Sequence, residues 1–234
     1  MQQLTFSELS QDNLPSIVNL VENDFDIDIW NKMILGQYSE KERDKLNFIQ
    51  EYLANYQLNL MNEATIWARA IYPLLMLAER NNIQAWAEVP LKAKFPHFEL
   101  TGIVDGVLGK CVAGEISIPY LVVVEAKRGL EAKNPRFQLY GEMLAAAWSN
   151  WRESSQIKQQ IFGCYTISDN WTFVSAMVKN FEDDCPTMII DTSKEYIQRI
   201  EAATIFQILK FIISKYVNRR NHCHDSLSHG GDFG

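Results

Sequence analysis

The sequence predicts an α/β fold, a mixed central β-sheet flanked by helices, and three observations carry the prediction. Apolar, β-branched runs at 83–89, 98–108, 120–124, 161–167 and 171–174 read as strands. Longer stretches at 39–56, 62–80, 134–151 and 192–216 repeat their apolar residues at helical spacing. The chain has 234 residues and is 47% hydrophobic, which is enough to bury a sizeable core.

In chain order, residues 1–60 read as an acidic helical N-terminal extension. Leu14, Ile17, Val18 and Val21 recur at helical spacing after Asn13-Leu-Pro15, which predicts one or two helices between Phe6 and Gln37. Ser39 and Glu42 form a capping-box pattern ahead of a stripe of Leu46, Ile49, Tyr52, Leu53 and Tyr56. The next helix carries Ile66, Ile71, Leu74, Leu75 and Leu77, with Glu63 in its first turn, where the helix dipole alone favours a carboxylate. Glu79, near its end, is a reserve candidate for any site Glu63 serves.

Strands follow at Ile83–Val89 and Phe98–Leu108, then a loop over Glu115–Pro119 into the apolar run 120–124. Asn134-Pro135 marks a helix start, with Gln138 and Glu142 one turn apart on the same face. Ser168-Asp-Asn170 reads as a hairpin turn. Thr192-Ser-Lys-Glu195 reads as a second capping box, opening a long helix through Ile205, Ile208, Leu209, Ile212 and Tyr216. The expected division is thus 1–60, a main domain over 61–217 and a polar tail over 218–234.

Composition excludes several classes. No apolar run approaches the ~18 residues that span a bilayer, and Met1-Gln-Gln-Leu4 lacks the basic-then-apolar pattern of a secretory leader. No membrane association and a cytoplasmic location are expected. Cys111, Cys164, Cys185 and Cys223 include no Cys-x-x-Cys pair, which argues against a disulfide framework or zinc ribbon. His222, His224 and His229 lie in the polar tail and His97 is isolated, so a Ser-His-Asp or Cys-His machine is poorly supplied. There is no Gly-x-Gly-x-x-Gly and no Walker pattern around Gly109-Lys110. Net charge is -7, and residues 1–60 hold ten acids against four bases, which places most of the excess there. The basic excess of a typical nucleic-acid binder is missing, although Lys127, Arg128, Lys133 and Arg136 form a local cluster.

Chemistry is concentrated between Thr101 and Gln138. Asp105 follows Gly102-Ile-Val, and Glu125-Ala-Lys127 ends the run Tyr120-Leu-Val-Val-Val. Alternation along a strand puts Glu125 and Lys127 on one face with Val123, with Val124 and Ala126 on the other. Burying even a neutral polar group without a partner costs about 2–7 kcal/mol, so these charges need compensation. A divalent cation held by Asp105 and Glu125 would compensate the acids.

This order of residues resembles the PD-(D/E)XK nuclease superfamily: Gly102-Ile-Val-Asp105, then Glu125-Ala-Lys127, then Gln138 on the following helix. Val104 stands where the family's Pro would be, a departure that removes no ligand. Asn62-Glu63-Ala64-Thr65 with Ile71-Tyr-Pro73-Leu-Leu75 looks like the opening helix of restriction-type members, and Ile161–Ile167 with Trp171–Val174 looks like the following strand pair. The resemblance implies a restriction endonuclease-like core and a Mg²⁺- or Mn²⁺-dependent endonuclease acting on nucleic acid, with DNA the expected partner. It implies a metal site of Asp105, Glu125, the Ala126 carbonyl and Glu63, with Lys127 and Gln138 as further catalytic residues. A second copy or a partner subunit would serve cleavage of two strands. Two other readings stay open: a nuclease-like fold without turnover, acting as a nucleic-acid-binding or assembly module, and a metal-free interaction protein. The last requires Glu125 and Lys127 to be well exposed and apart from Asp105.

Overall fold

The meander at the centre of the sequence builds the middle of the fold. In the computed structural model, which describes residues 1–23, 27–34, 36–127, 134–154 and 156–225, β3 (Ile83–Lys94), β4 (Phe98–Val112) and β5 (Glu115–Lys127) run antiparallel in succession. The expected loop at Glu115–Pro119 is therefore strand. Ala113 and Gly114 make the turn, with φ of 53° and 85°, the left-handed pair that suits a tight hairpin. Helix α5 (Arg136–Glu153) then crosses over to β6 (Lys158–Ile167), parallel to β5. β7 (Asn170–Lys179) and β8 (Thr187–Ile197) continue the sheet antiparallel.

The N-terminal sixty residues differ from expectation. They are not a purely helical extension, because β1 (Gln2–Thr5) pairs parallel with β4 and β2 (Asn19–Glu22) pairs parallel with β8 in the same sheet. Between them the chain makes two 3₁₀ turns, Phe6–Glu8 and Leu14–Ser16, that bury Phe6 and Leu14. The unpaired edges of β4 and β8 supply ladder hydrogen bonds that the short helical pattern around Leu14 does not outweigh. Helices α1 (Ile27–Asn31) and α2 (Glu40–Ala54) do form, the latter on the expected capping box, where the Ser39 N–H donates to Glu42 Oε2 at 2.7 Å.

A second correction has the same cause. Thr192–Glu195 carries a capping-box sequence, yet it lies within β8, where the Ser193 hydroxyl accepts the Phe173 N–H at 2.9 Å. The helix α6 starts at Gln198 and its backbone runs to Asp225, past the expected limit at 217. The histidines beyond that limit belong to residues whose side chains lie outside the described part, and 226–234 lie outside it entirely.

The sheet separates two apolar cores. Helix α5 packs Leu139, Tyr140, Met143 and Leu144 on one face, with Val104, Val107 and Val123 of the sheet and Phe6 and Leu14 of the N-terminal segment. On the other face α2, α6 and the helical stretch 63–78 bury Leu53, Ile71, Leu75, Ile205 and Leu209 against Leu108, Val122 and Val124. That helical stretch is α3 (Glu63–Ile66), a π turn (Trp67–Ile71) and α4 (Tyr72–Ala78). Pro73 has no N–H to give, and its ring crowds the carbonyl four residues back, so widening by one residue just before it relieves both. Buried Gln198 secures the widened turn by donating to the Ala70 carbonyl at 2.6 Å while accepting from Trp171 Nε1 at 2.8 Å. Among the described residues no helix is long and apolar enough to cross a membrane.

Candidate metal centre at the fork between β4 and β5

Strand β4 serves three neighbours. β3 covers one edge from Glu99 to Lys110, while β1 takes the other edge up to Thr101 and β5 takes it again from Gly106 onward. Over the intervening residues β4 and β5 part, and Asp105 stands at the fork. Its Oδ2 accepts the Ala126 N–H at 2.7 Å, so a carboxylate replaces the ladder partner that the backbone has lost. The Phe6 ring fills the inner side of the fork over Gly102, where a Cβ would come within 2.5 Å of Cδ2.

Pleating changes phase at this rung. Trp86 and Val89 share one core, as do Val107 and Val104, although strict alternation would place each pair on opposite faces. The slip falls between rungs Ala87·Gly106 and Val89·Val104, which bracket Glu88 and Asp105. Glu88 has a left-handed φ of 52°, an uncommon conformation for a residue with a side chain. Such irregularities re-aim side chains and gather at functional sites.

Five elements bring acids to the fork. Glu63 sits in the first turn of α3, whose N-terminus is closed by Asn62 Oδ1 accepting from Thr65 N at 2.8 Å. One turn on, the Trp67 ring packs on Gly106, where a Cβ would lie 2.3 Å from Cη2, so the glycine lets this helix approach the sheet closely. Glu63, Glu88, Asp105 and Ala126 line a common cavity of about 230 Å³ with Ala64, Trp67 and Ala87. Glu125 and Lys127 end β5 and form an ion pair in which the Glu125 side chain is 0% exposed and that of Lys127 23%. From α5, Gln138 Nε2 donates to Glu142 Oε1 at 3.0 Å, and Glu142 lies wholly buried beside Glu125.

The electrostatics follow from this crowding. Burial, with the charge of Asp105 beside it, pushes the Glu125 carboxyl up to about 7 against the opposing pull of Lys127. Glu142 is pushed well up by burial and then by Glu125. Asp105 is raised by burial, with Glu63 adding, although the Ala126 N–H and Lys127 oppose the shift. For Lys127, burial pulls the ammonium down, but Glu125, Glu63 and Asp105 together outweigh it and hold its pKa above the ordinary value.

The structure thus brings Asp105, Glu125, Ala126, Lys127 and Glu63 together, and links Gln138 to them through Glu142. Arg128 and Lys133 lie outside the described residues. Arg136 is engaged with Glu22 at 3.5 Å and stacks on Phe137 at 4.7 Å. The reserve candidate Glu79 is occupied elsewhere, accepting the Ala85 N–H at 2.9 Å. Two acids at the site carried little sequence signal. Glu142 interrupts a helix face that is otherwise apolar, which is a legible cue; Glu88 sits among the exposed positions of its strand, and its strained backbone arises only from tertiary pairing.

The donor set suits a hard divalent cation, since it is all oxygen, and Glu125 Oε2 and Glu142 Oε2 are buried with no hydrogen-bond partner among the described residues. Among the described residues no group of three or more His, Cys, Asp or Glu side chains is placed so that it could hold a metal ion as it stands. A larger cavity, about 640 Å³, lies nearer the other end of β5 and is lined by residues including Ser117, Tyr120, Asn150 and Gln159. Among its described lining residues Glu153 is the one carboxylate, without the convergence of acids seen at the fork. Comparison with family models and with curated proteins gives no match.

Proposed function

We propose that the chain is a metal-dependent nuclease of PD-(D/E)XK type, with a restriction endonuclease-like core, that hydrolyses phosphodiester bonds in nucleic acid, DNA first. The observation that carries this reading is the fork itself: Asp105 bonded to the Ala126 backbone, with the buried Glu125 paired to Lys127 and Glu63 on the shared cavity wall. The metal-free interaction reading required Glu125 and Lys127 to be exposed and distant from Asp105, and neither condition is met.

Asp105, Glu125, the Ala126 carbonyl and Glu63 would hold Mg²⁺ or Mn²⁺. When bound, the ion would polarise the scissile phosphate and offset the charge that develops on it. Lys127 is placed to orient the attacking water and to stabilise negative charge, because its ammonium is fixed by Glu125 and kept protonated by the surrounding acids. The Ala126 N–H holds Asp105 in one orientation, and Gln138 extends the polar wall from α5. The acidic balance of the chain, -7 overall, favours a second reading in which the fold binds or assembles without turnover.

Cleavage of plasmid, single-stranded DNA and RNA with Mg²⁺ or Mn²⁺ separates the two. We expect cutting that falls about 100-fold or more in both Asp105→Ala and Lys127→Ala. No cutting, together with no Asp105-dependent Mn²⁺ binding by calorimetry, would refute the nuclease and leave the binding module.

A further inference from the structure

Glu142 is unusual for its place. It lies on the buried face of α5 among Leu139, Met143, Ala145 and Ala146, where an apolar side chain would pack without cost. Its Oε1 receives the Gln138 amide, but its Oε2 is buried and has no hydrogen-bond partner among the described residues. Glu125, also 0% exposed, lies against it. The two carboxylates meet oxygen to oxygen, so one satisfies the other only while a proton is held between them, and a cation can take that proton's place. Lys127 reaches Glu125 but leaves Glu142 Oε2 unserved. One ammonium against two buried carboxylates leaves the second to bear its desolvation penalty or to hold a proton.

We propose that Glu142 is a further carboxylate of the cation site, reaching Glu125 from the helix layer on the opposite face of the sheet from Glu63. The inference rests on the cation site of the proposed nuclease and extends it. Glu63 and Asp105 close the site from the exposed cavity, whereas Glu142 closes it from the core. Gln138 then acts as a positioning residue, because its amide hydrogen bond holds the Glu142 carboxylate toward Glu125.

Mn²⁺ calorimetry and thermal unfolding on the full chain test this. Glu142→Gln keeps an oxygen to accept the Gln138 amide but removes the charge. We expect its Mn²⁺ affinity to fall about 10- to 100-fold, with the metal-free unfolding temperature not lowered and the Mn²⁺-induced rise diminished. Gln138→Ala removes the hydrogen bond and keeps the charge; its affinity should fall by less than about 3-fold, within the worth of one ordinary hydrogen bond. Unchanged affinity in Glu142→Gln would overturn the proposal, as would an equal loss in Gln138→Ala or a lowered metal-free unfolding temperature in Glu142→Gln. If the native chain binds no Mn²⁺, or binds it unaffected by Asp105→Ala, the underlying cation-site reading fails. Asp105-dependent binding indifferent to Glu142→Gln fails this inference alone.

Discussion

Two buried acids stand near the same end of the sheet and are treated in opposite ways. Asp169, 1% exposed in the turn between β6 and β7, receives both arms of Arg199, at 2.8 and 2.9 Å. Its backbone carbonyl also accepts the Gln198 N–H at 2.8 Å, tying the turn to the start of α6. Next door, the Ser168 N–H donates to the carbonyl of Lys127 at 2.9 Å, so the same turn braces the end of β5. Glu125 lies two residues earlier on that strand, 0% exposed, and it faces Asp105 and Glu142 with Lys127 as its only salt-bridge partner among the described residues. A guanidinium in bidentate contact satisfies a carboxylate in place. Asp169 has such a partner, whereas Glu125 and Glu142 face each other with Lys127 the only cation beside them among the described residues, which is the gap the proposed cation would fill.

The contrast breaks most sharply under isosteric neutralisation. Glu125→Gln should cost about 100-fold or more in cleavage, while the metal-free protein unfolds at the native temperature or above, because an amide can donate to Glu142 and accept from Lys127. Asp169→Asn should do the reverse. It loses charge-assisted bonds worth about 2 kcal/mol, discounted because Arg199 is 43% exposed and can rehydrate. Unfolding should then begin several degrees lower with activity retained below the transition. Scanning calorimetry beside a cleavage assay reads both, and a stability loss in Glu125→Gln matching that of Asp169→Asn would erase the distinction.

Acidity probes the same difference more gently. The Glu125 carboxyl rises from 4.5 in the open chain to about 7 in the fold, so between these values the folded state holds the extra proton. Stability is then greatest below the open-chain value, declines as pH rises through about 7 and levels off above it, the opposite of a salt-bridged acid. The span corresponds to on the order of 3 kcal/mol, and Asp105 and Glu142, also raised, act in the same direction. Metal-free unfolding temperatures from pH 5 to 8 should fall, and Glu125→Gln should flatten the trend. A rising trend in the native protein would contradict the frustrated cluster.

Much of this was legible in the sequence, for reasons that differ by element. Asp105, Glu125 and Lys127 announced themselves because charges at the ends of β-branched runs need compensation, and the fork brings them together with Glu63. The Ser39–Glu42 capping box and the Asn134-Pro135 start were local signals that survive folding; the Ser39 N–H donates to Glu42 Oε2 at 2.7 Å and the Asn134 Oδ1 accepts the Arg136 N–H at 3.0 Å. The errors lay where a distant edge decided the outcome. Residues 19–22 and 192–195 carry helix-like cues, yet the first pair with 187–190 far along the chain and the second lie on the ladder with the preceding strand β7. Glu142 was visible only as a neighbour of Gln138, since its meaning depends on what β5 sets against it.

Glu88 gives the smallest test, and it asks whether strain at the fork serves the fold or the site. Its φ of 52° costs a residue with a Cβ about 1–2 kcal/mol that glycine avoids. Glycine also adds about 0.5–1 kcal/mol of freedom to the unfolded chain. Glu88→Gly should therefore stabilise by less than about 1 kcal/mol, whereas Glu88→Ala keeps the strain and should change stability little. Because Glu88 shares the cavity of Glu63 and Asp105, both variants should weaken Mn²⁺ binding alike, although their stabilities diverge. Equal stability in the two would mean that the left-handed rung carries no strain. Equal stability with unchanged Mn²⁺ affinity would place Glu88 among the satisfied acids, on the side of Asp169 rather than Glu125.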